Sequence, residues 1–267
     1  PDILLQNKNN RGCICIFLRD ISYDNTKKLT KVYTYKNDLT PVLNIRSLKT
    51  PDLDVLIRHS LALDIISKIN SHKAFKSFEN HVSSRRPFNL DGNVTKNSKI
   101  FRATNKGLKH PLTCYGKSKT IGYVERKEIT KNADWIERYK VFAPYANNIG
   151  TELNDDNLNA FVGAPNTICT ETYIVMGAEL NLNAMSAKNM VKYFSTKFSR
   201  FMHSLPKVSQ HGTSKTYKFV PLQDFTTKSD IDWSKSIAEI DKQLYKKYKL
   251  TKEEISFIES MIKPMNE

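Results

Sequence analysis

The chain has 267 residues, a formal net charge of +15, 39% hydrophobic and 26% charged residues. That composition buries a sizeable core, allows one large domain or two, and excludes a disordered tail. No apolar run approaches the roughly 18–20 residues of a membrane span. With no signal peptide in view, a cytoplasmic protein without a membrane partner is expected, and the start at Pro1 without a Met reads as a fragment of a longer protein.

In chain order, residues 13–18 (Cys-Ile-Cys-Ile-Phe-Leu) read as a buried strand. Residues 30–35 alternate as a second, and a polar turn between them would make a hairpin. Leu53, Leu56, Ile57, Leu61, Ile65 and Ile69 follow Pro51-Asp52 at helical spacing. From 77 to 124 short strands and loops are expected, with 100–103 and 120–125 the best strand candidates. A short helix at 133–139, a strand at 140–143, an acidic surface loop at 146–159 and strands at 161–162 and 168–176 follow. Met190, Val191, Phe194, Phe198, Phe201 and Leu205 form one stripe, which predicts a helix over 186–205 ended by Pro206. A polar loop over 206–216, a strand at 217–220 and helices at 233–248 and 251–262 complete the chain. The last helix opens with a capping box, Thr251-x-x-Glu254.

The surplus charge sits in two windows. Residues 80–124 hold Arg85, Arg86, Lys96, Lys99, Arg102, Lys106, Lys109, Lys117 and Lys119 against the single acid Asp91. Residues 180–223 hold Lys188, Lys192, Lys197, Arg200, Lys207, Lys215 and Lys218 and no acid. The rest of the chain balances to zero, as expected when a polyanion-binding face is confined to particular stretches. Ser83-Ser84-Arg85-Arg86-Pro87 sets hydroxyls and guanidinium groups beside a rigid proline, chemistry suited to phosphate oxygens or a guanine edge. The loop from Lys207 to Lys215 is rich in donors and suits insertion along a groove.

Catalytic signatures are lacking. There is no Gly-x-Gly-x-x-Gly, Walker loop, Gly-x-Ser-x-Gly, His-Glu-x-x-His or Asn-Pro-Pro-Tyr. Cys13, Cys15, Cys114 and Cys169 have no Cys-x-x-Cys spacing, so free thiols and no structural metal are expected. The nearest match to a magnesium-dependent nuclease is Glu125-Arg-Lys127 with Asp91 upstream, and the acidic loop with Glu152, Asp155 and Asp156 reads as solvated before it reads as a divalent-ion site. An RNA-binding module or a protein-docking module would also be compatible with these features.

Several stretches together resemble the carboxy-terminal part of bacterial type II restriction–modification proteins with an adenine-specific DNA methylase. They are Val82-Ser83-Ser84-Arg85-Arg86-Pro87-Phe88, Ile121-Gly122-Tyr123-Val124, Tyr139-Lys140-Val141-Phe142-Ala143-Pro144 and Cys169-Thr170-Glu171-Thr172-Tyr173-Ile174-Val175. Lys197-Phe198-Ser199-Arg200-Phe201, Phe219-Val220-Pro221-Leu222-Gln223-Asp224-Phe225 and Leu244-Tyr245-Lys246-Lys247-Tyr248 add to them. The resemblance implies a target-recognition region that binds double-stranded DNA beside a methylase in cis. S-adenosylmethionine, with magnesium as a further candidate, would serve that parent protein, and no cofactor, metal or catalytic residue is expected in this segment.

The expected fold is α+β. Residues 1–73 are expected to be the end of a methylase sheet plus a connecting helix, 74–228 a DNA target-recognition domain, and 229–267 bracing helices. Ser84, Arg85, Arg86, Lys99, Arg102, Lys106, Lys109, Lys117 and Lys119 are expected on one side of the DNA. Lys207, Gln210, His211, Thr213 and Lys215 are expected to approach from a second loop.

Overall fold

The computed structural model describes residues 16–22, 29–35, 41–48, 55–150, 156–263 and 265. The order of elements is β1 (Thr30–Tyr35), β2 (Pro41–Arg46), α1 (Ser60–Asn70), β3 (Pro111–Tyr115), β4 (Ile121–Glu125), β5 (Lys140–Pro144) and β6 (Phe161–Gly163). Then come β7 (Thr167–Cys169), β8 (Tyr173–Met176), α2 (Ala184–Ser195), α3 (Lys197–Ser204), α4 (Ile237–Lys247) and α5 (Lys252–Met261). The fold is α+β. Among the described residues no helix is long and apolar enough to cross a membrane.

The organising layer is the antiparallel sheet β6-β5-β8. Alternate residues of a strand face opposite sides, and here both sides are covered. Val141, Ala143, Ile174 and Met176 enter the larger core, built with residues of α1 to α5. Phe142, Tyr173 and Val175 enter a smaller core shared with the sheet β4-β3-β7. That second sheet is mixed, with β3 antiparallel to β4 and parallel to β7. Doubly covered strands read as continuous apolar runs, which is why β5 and β8 are recognisable from sequence. Lys140 is the exception in β5. It is fully buried, and its ammonium donates to the Arg138 carbonyl (2.9 Å) and the Ala164 carbonyl (3.3 Å).

Several elements differ from expectation. Strand 30–35 pairs with 41–46, Tyr33 opposite Leu43, and not with the described residues 16–18 of the expected partner. Residues 13–15 lie outside the described residues, and 16–18 are exposed and irregular. Helix α1 starts later than its apolar spacing predicts (Leu53 itself is outside the described residues). The Arg46 guanidinium takes the Ile57 and Arg58 carbonyls, and the Thr34 hydroxyl also donates to Arg58 (3.3 Å), so these groups cannot serve a helix. The stretch 100–103 makes only a single bridge, Arg102 to Tyr123, and 133–139 only one 3-10 turn, Ala133–Trp135. Residues 168–176 divide between two sheets. Residues 217–220 are no strand, because the Thr213 carbonyl accepts from the Thr216 amide and hydroxyl and closes a 3-10 turn, Ser214–Tyr217. The loop 146–159 is not all surface. Ile149, Asp156 and Leu158 are buried, and the Asp156 carboxylate accepts from the Gly150 and Lys263 amides (3.0 and 2.8 Å).

The helix predicted over 186–205 is two helices. Thr196 is extended (φ −66°, ψ 148°) and caps α3 by accepting from the Ser199 amide at 3.1 Å. Asp241 of α4 accepts from the Lys197 and Phe198 amides, each at 2.9 Å. The orphan donors that any helix start exposes are therefore satisfied across an inter-helix contact. Both predicted C-terminal helices exist, and the Thr251–Glu254 capping box opens α5.

Candidate nucleic-acid interface

The β3–β4 hairpin carries Lys117 and Lys119 of the first basic window in its turn, and residues 99–109 lead into it. Its strands pair from Pro111 opposite Glu125 to Tyr115 opposite Ile121, and Leu112, Cys114 and Val124 anchor it in the smaller core. Burial pushes the Cys114 thiol up to about 12, so it is an inert core residue. At the Glu125 end, the carboxylate accepts from the Lys109 amide (2.8 Å) and the His110 amide (2.7 Å). Burial alone would raise its pKa, and those backbone hydrogen bonds outweigh it and hold the carboxyl below its usual value. The arrangement folds 103–109 over a cleft of about 600 Å³. Lys99, Arg102, Lys109, Arg126 and Lys127 line it together with His110, Glu125 and Glu128. Lys106 is exposed on the covering loop and does not line the cleft.

The opposite end of the hairpin presents Lys117 and Lys119, both exposed. The Thr120 amide donates to the Lys117 carbonyl (3.1 Å) and the Gly116 amide to the Thr120 carbonyl (2.7 Å). Ser118 and Lys119 occupy the two central positions with φ of 57° and 60°. Left-handed central residues match the twist of a hairpin, and Asn and Gly are the residues that adopt them cheaply. A lysine is held there at a local cost.

Residues 84–86 form a short exposed excursion between two anchors. On one side Ser83 exchanges hydrogen bonds with Val175 of β8 (amide to carbonyl 2.8 Å, hydroxyl from amide 2.9 Å). On the other Phe88 is fully buried. Arg86 takes φ 58°. Both guanidinium groups meet one carboxylate oxygen of Glu171, Arg85 at 3.0 Å and Arg86 at 2.9 Å, while the Gly92 amide holds the other oxygen at 3.0 Å. The Arg86 hydrogen bond, then that of Gly92, keeps the Glu171 carboxyl below its usual range. Ser84 accepts from the Lys131 ammonium (3.0 Å).

Tyr145 links the second window to the first. The Arg85 guanidinium lies 5.3 Å from the Tyr145 ring centroid, and Tyr145 stacks on His211 at 4.7 Å and 19°. A bridge between Ala146 and His211 sets that register. Gln210 is half-buried and its carbonyl accepts from the Asn147 amide (2.9 Å), whereas Thr213 and Lys215 are exposed.

Lys207 is a correction. It is 5% exposed, and its ammonium donates to the Asn147 carbonyl (2.7 Å), the Asn147 side-chain oxygen (2.6 Å) and the Ile149 carbonyl (3.0 Å). It ties two loops together and has no route to DNA. Burial lowers its pKa to about 8. Three of the other six cations of that window are likewise engaged internally. Lys192 donates to the Trp233 carbonyl at 2.8 Å, Lys197 pairs with Glu259, and Arg200, 2% exposed, donates to the Asp156 and Lys263 carbonyls. Four of the seven cations of 180–223 are therefore engaged internally, while Lys188 and Lys215 are exposed.

The nuclease site is not assembled either. Both oxygens of Glu125 serve backbone amides, while Asp91 caps a separate 3-10 turn by accepting from the Asn93 amide (2.7 Å). Among the described residues no group of three or more His, Cys, Asp or Glu could hold a metal ion.

Arg126, Lys131 and Tyr145 adjoin the candidate residues but escape a reading by charge windows. Arg126 and Lys131 sit among Glu125, Glu128, Asp134 and Glu137, so the local sum is near zero. Tyr145 is an aromatic at a strand end with nothing in its sequence context to single it out. No protein-family model matches the chain, and no curated protein matches it.

Proposed function

We propose that this chain binds double-stranded DNA through the β3–β4 hairpin and the loops at its two ends, as the target-recognition part of a restriction–modification adenine methylase. One observation carries the reading. Around one β3–β4 hairpin, Lys99 and Lys109 border the cleft at its Glu125 end, Arg102 is bridged to Tyr123 of β4, and Lys117 and Lys119 stand in the turn at its other end, all without an ion-pair partner among the described residues. Five residues of strand separate those ends by about 17 Å, half a turn of B-form DNA at ~34 Å per turn. Phosphate contacts at the two ends would fix register. Base readout would then fall to groups near Arg85, Arg86 and His211. No methyl-transfer step belongs to these residues. S-adenosylmethionine would be held by the methylase in cis, since no Gly-rich cofactor loop or Asn-Pro-Pro-Tyr is present here.

The test is duplex affinity against salt concentration. About five phosphate contacts imply a log–log slope of roughly −4 to −5. A flat response counts against the proposal.

A second reading, docking onto the methylase, is favoured by the outward face of the β1–β2 hairpin. Tyr33, Leu43 and Ile45 are 52%, 48% and 61% exposed there. A two-stranded hairpin is marginal alone and gains from a covering surface. Lysine substitutions at Leu43 and Ile45 should abolish association with the parent's methylase; unchanged association removes this reading.

A further inference from the structure

We infer that the cleft at the Glu125 end of the β3–β4 hairpin is a binding pocket for a phosphate group, carried on a nucleotide or free in solution. Its volume of about 600 Å³ lies within the ~300–1,000 Å³ typical of small-ligand sites. Five cationic side chains surround it against two carboxylates, Glu125 and Glu128. Glu125 is already engaged by two amides, and Arg126 is paired with Glu137. Lys99, Arg102, Lys109 and Lys127 have no ion-pair partner among the described residues.

Arg102 is the centre of the site. Its backbone exchanges two hydrogen bonds with Tyr123 (2.9 and 2.8 Å), so it is anchored to β4. Its side chain is half-buried, with Nη1 3.8 Å from where a Cβ on Gly107 would stand. Like charges gathered round one cleft repel one another. A doubly charged tetrahedral oxyanion reverses that. It can accept a planar guanidinium fork and several ammonium donors at once. A lone phosphate would not fill this volume, and Ile100 and Leu108 supply apolar wall for an attached sugar or base. The pocket does not require that the chain bind duplex DNA.

Titration calorimetry of the whole chain with inorganic phosphate and with a nucleoside 5′-monophosphate should give saturable one-to-one binding. Tighter binding of the monophosphate assigns the pocket to nucleotides, and equal binding assigns it to the free ion. Arg102→Gln and the exposed Lys127→Gln should each weaken binding at least tenfold, and the distant Lys188→Gln should not. Circular dichroism checks that each variant is folded, and Lys127→Gln keeps the test open if Arg102→Gln is not. No binding of either anion, or wild-type binding by Lys127→Gln and by folded Arg102→Gln, overturns the inference. Duplex binding without anion binding would sink the pocket and leave the DNA reading standing. Anion binding without duplex binding would do the reverse.

Discussion

His203 shows how a single buried polar side chain sets a pH response. It is 1% exposed, with its ring 4.3 Å from that of Tyr217. Burial, and then the nearby Lys207 ammonium, lowers its pKa to about 3 from an ordinary 6.5. Between those values the unfolded chain binds a proton that the fold refuses. Stability is therefore complete above about pH 6.5 and falls by ~1.4 kcal/mol per unit as the pH drops through that window. His203→Phe keeps the ring and removes the titration. In urea unfolding from pH 7 to 4.5, the gap between wild type and His203→Phe should widen by that amount per unit in favour of the variant. Parallel curves would show that His203 is not the responsible group. The neighbouring Lys207 carries the same lesson, since a lysine in a basic window can be a core cross-link.

At the scale of elements, the turn between β3 and β4 sets the proposed DNA contact against local stability. Lys119 sits at φ 60°, where glycine is the favoured residue. Lys119→Gly should raise the unfolding free energy by about 0.5–1 kcal/mol. It should at the same time weaken duplex DNA binding and lower the salt slope by about one contact. A variant that is more stable and binds DNA as tightly as wild type would take Lys119 out of the interface. The break between α2 and α3 is the complementary case. Two side chains, Thr196 and Asp241, make it tolerable by accepting from the freed amides.

At the scale of the whole molecule, the charge available to a partner is smaller than the formal +15, because ion pairs and carbonyl contacts engage much of it internally. Glu171 holds two arginines of the strongest motif, leaving that trio with one net charge. Glu171→Gln should therefore strengthen duplex binding about fivefold, equivalent to ~1 kcal/mol for one nearby charge. Arg85→Ala with Arg86→Ala should weaken it. Filter binding at fixed salt reads both, and no change in either variant would exclude this cluster from the interface.

Periodicity and local chemistry determined the α+β class, β1, β4, β5, the last two helices and the Thr251 cap. Those features depend on neighbours within a few residues, which the sequence displays directly. The first basic window was legible as charge along the chain, while folding divides it between the Glu171 cluster, the cleft and the hairpin turn. Tertiary structure alone decided the rest. Whether Lys207 faces solvent depends on carbonyls near residue 147, and whether 186–205 is one helix depends on Asp241. The cleft needs 99–109 brought onto 125–128, and Tyr145 joins Arg85 to His211 only after folding. Burial and long-range pairing are properties of distance in space, and separation along the chain does not encode them.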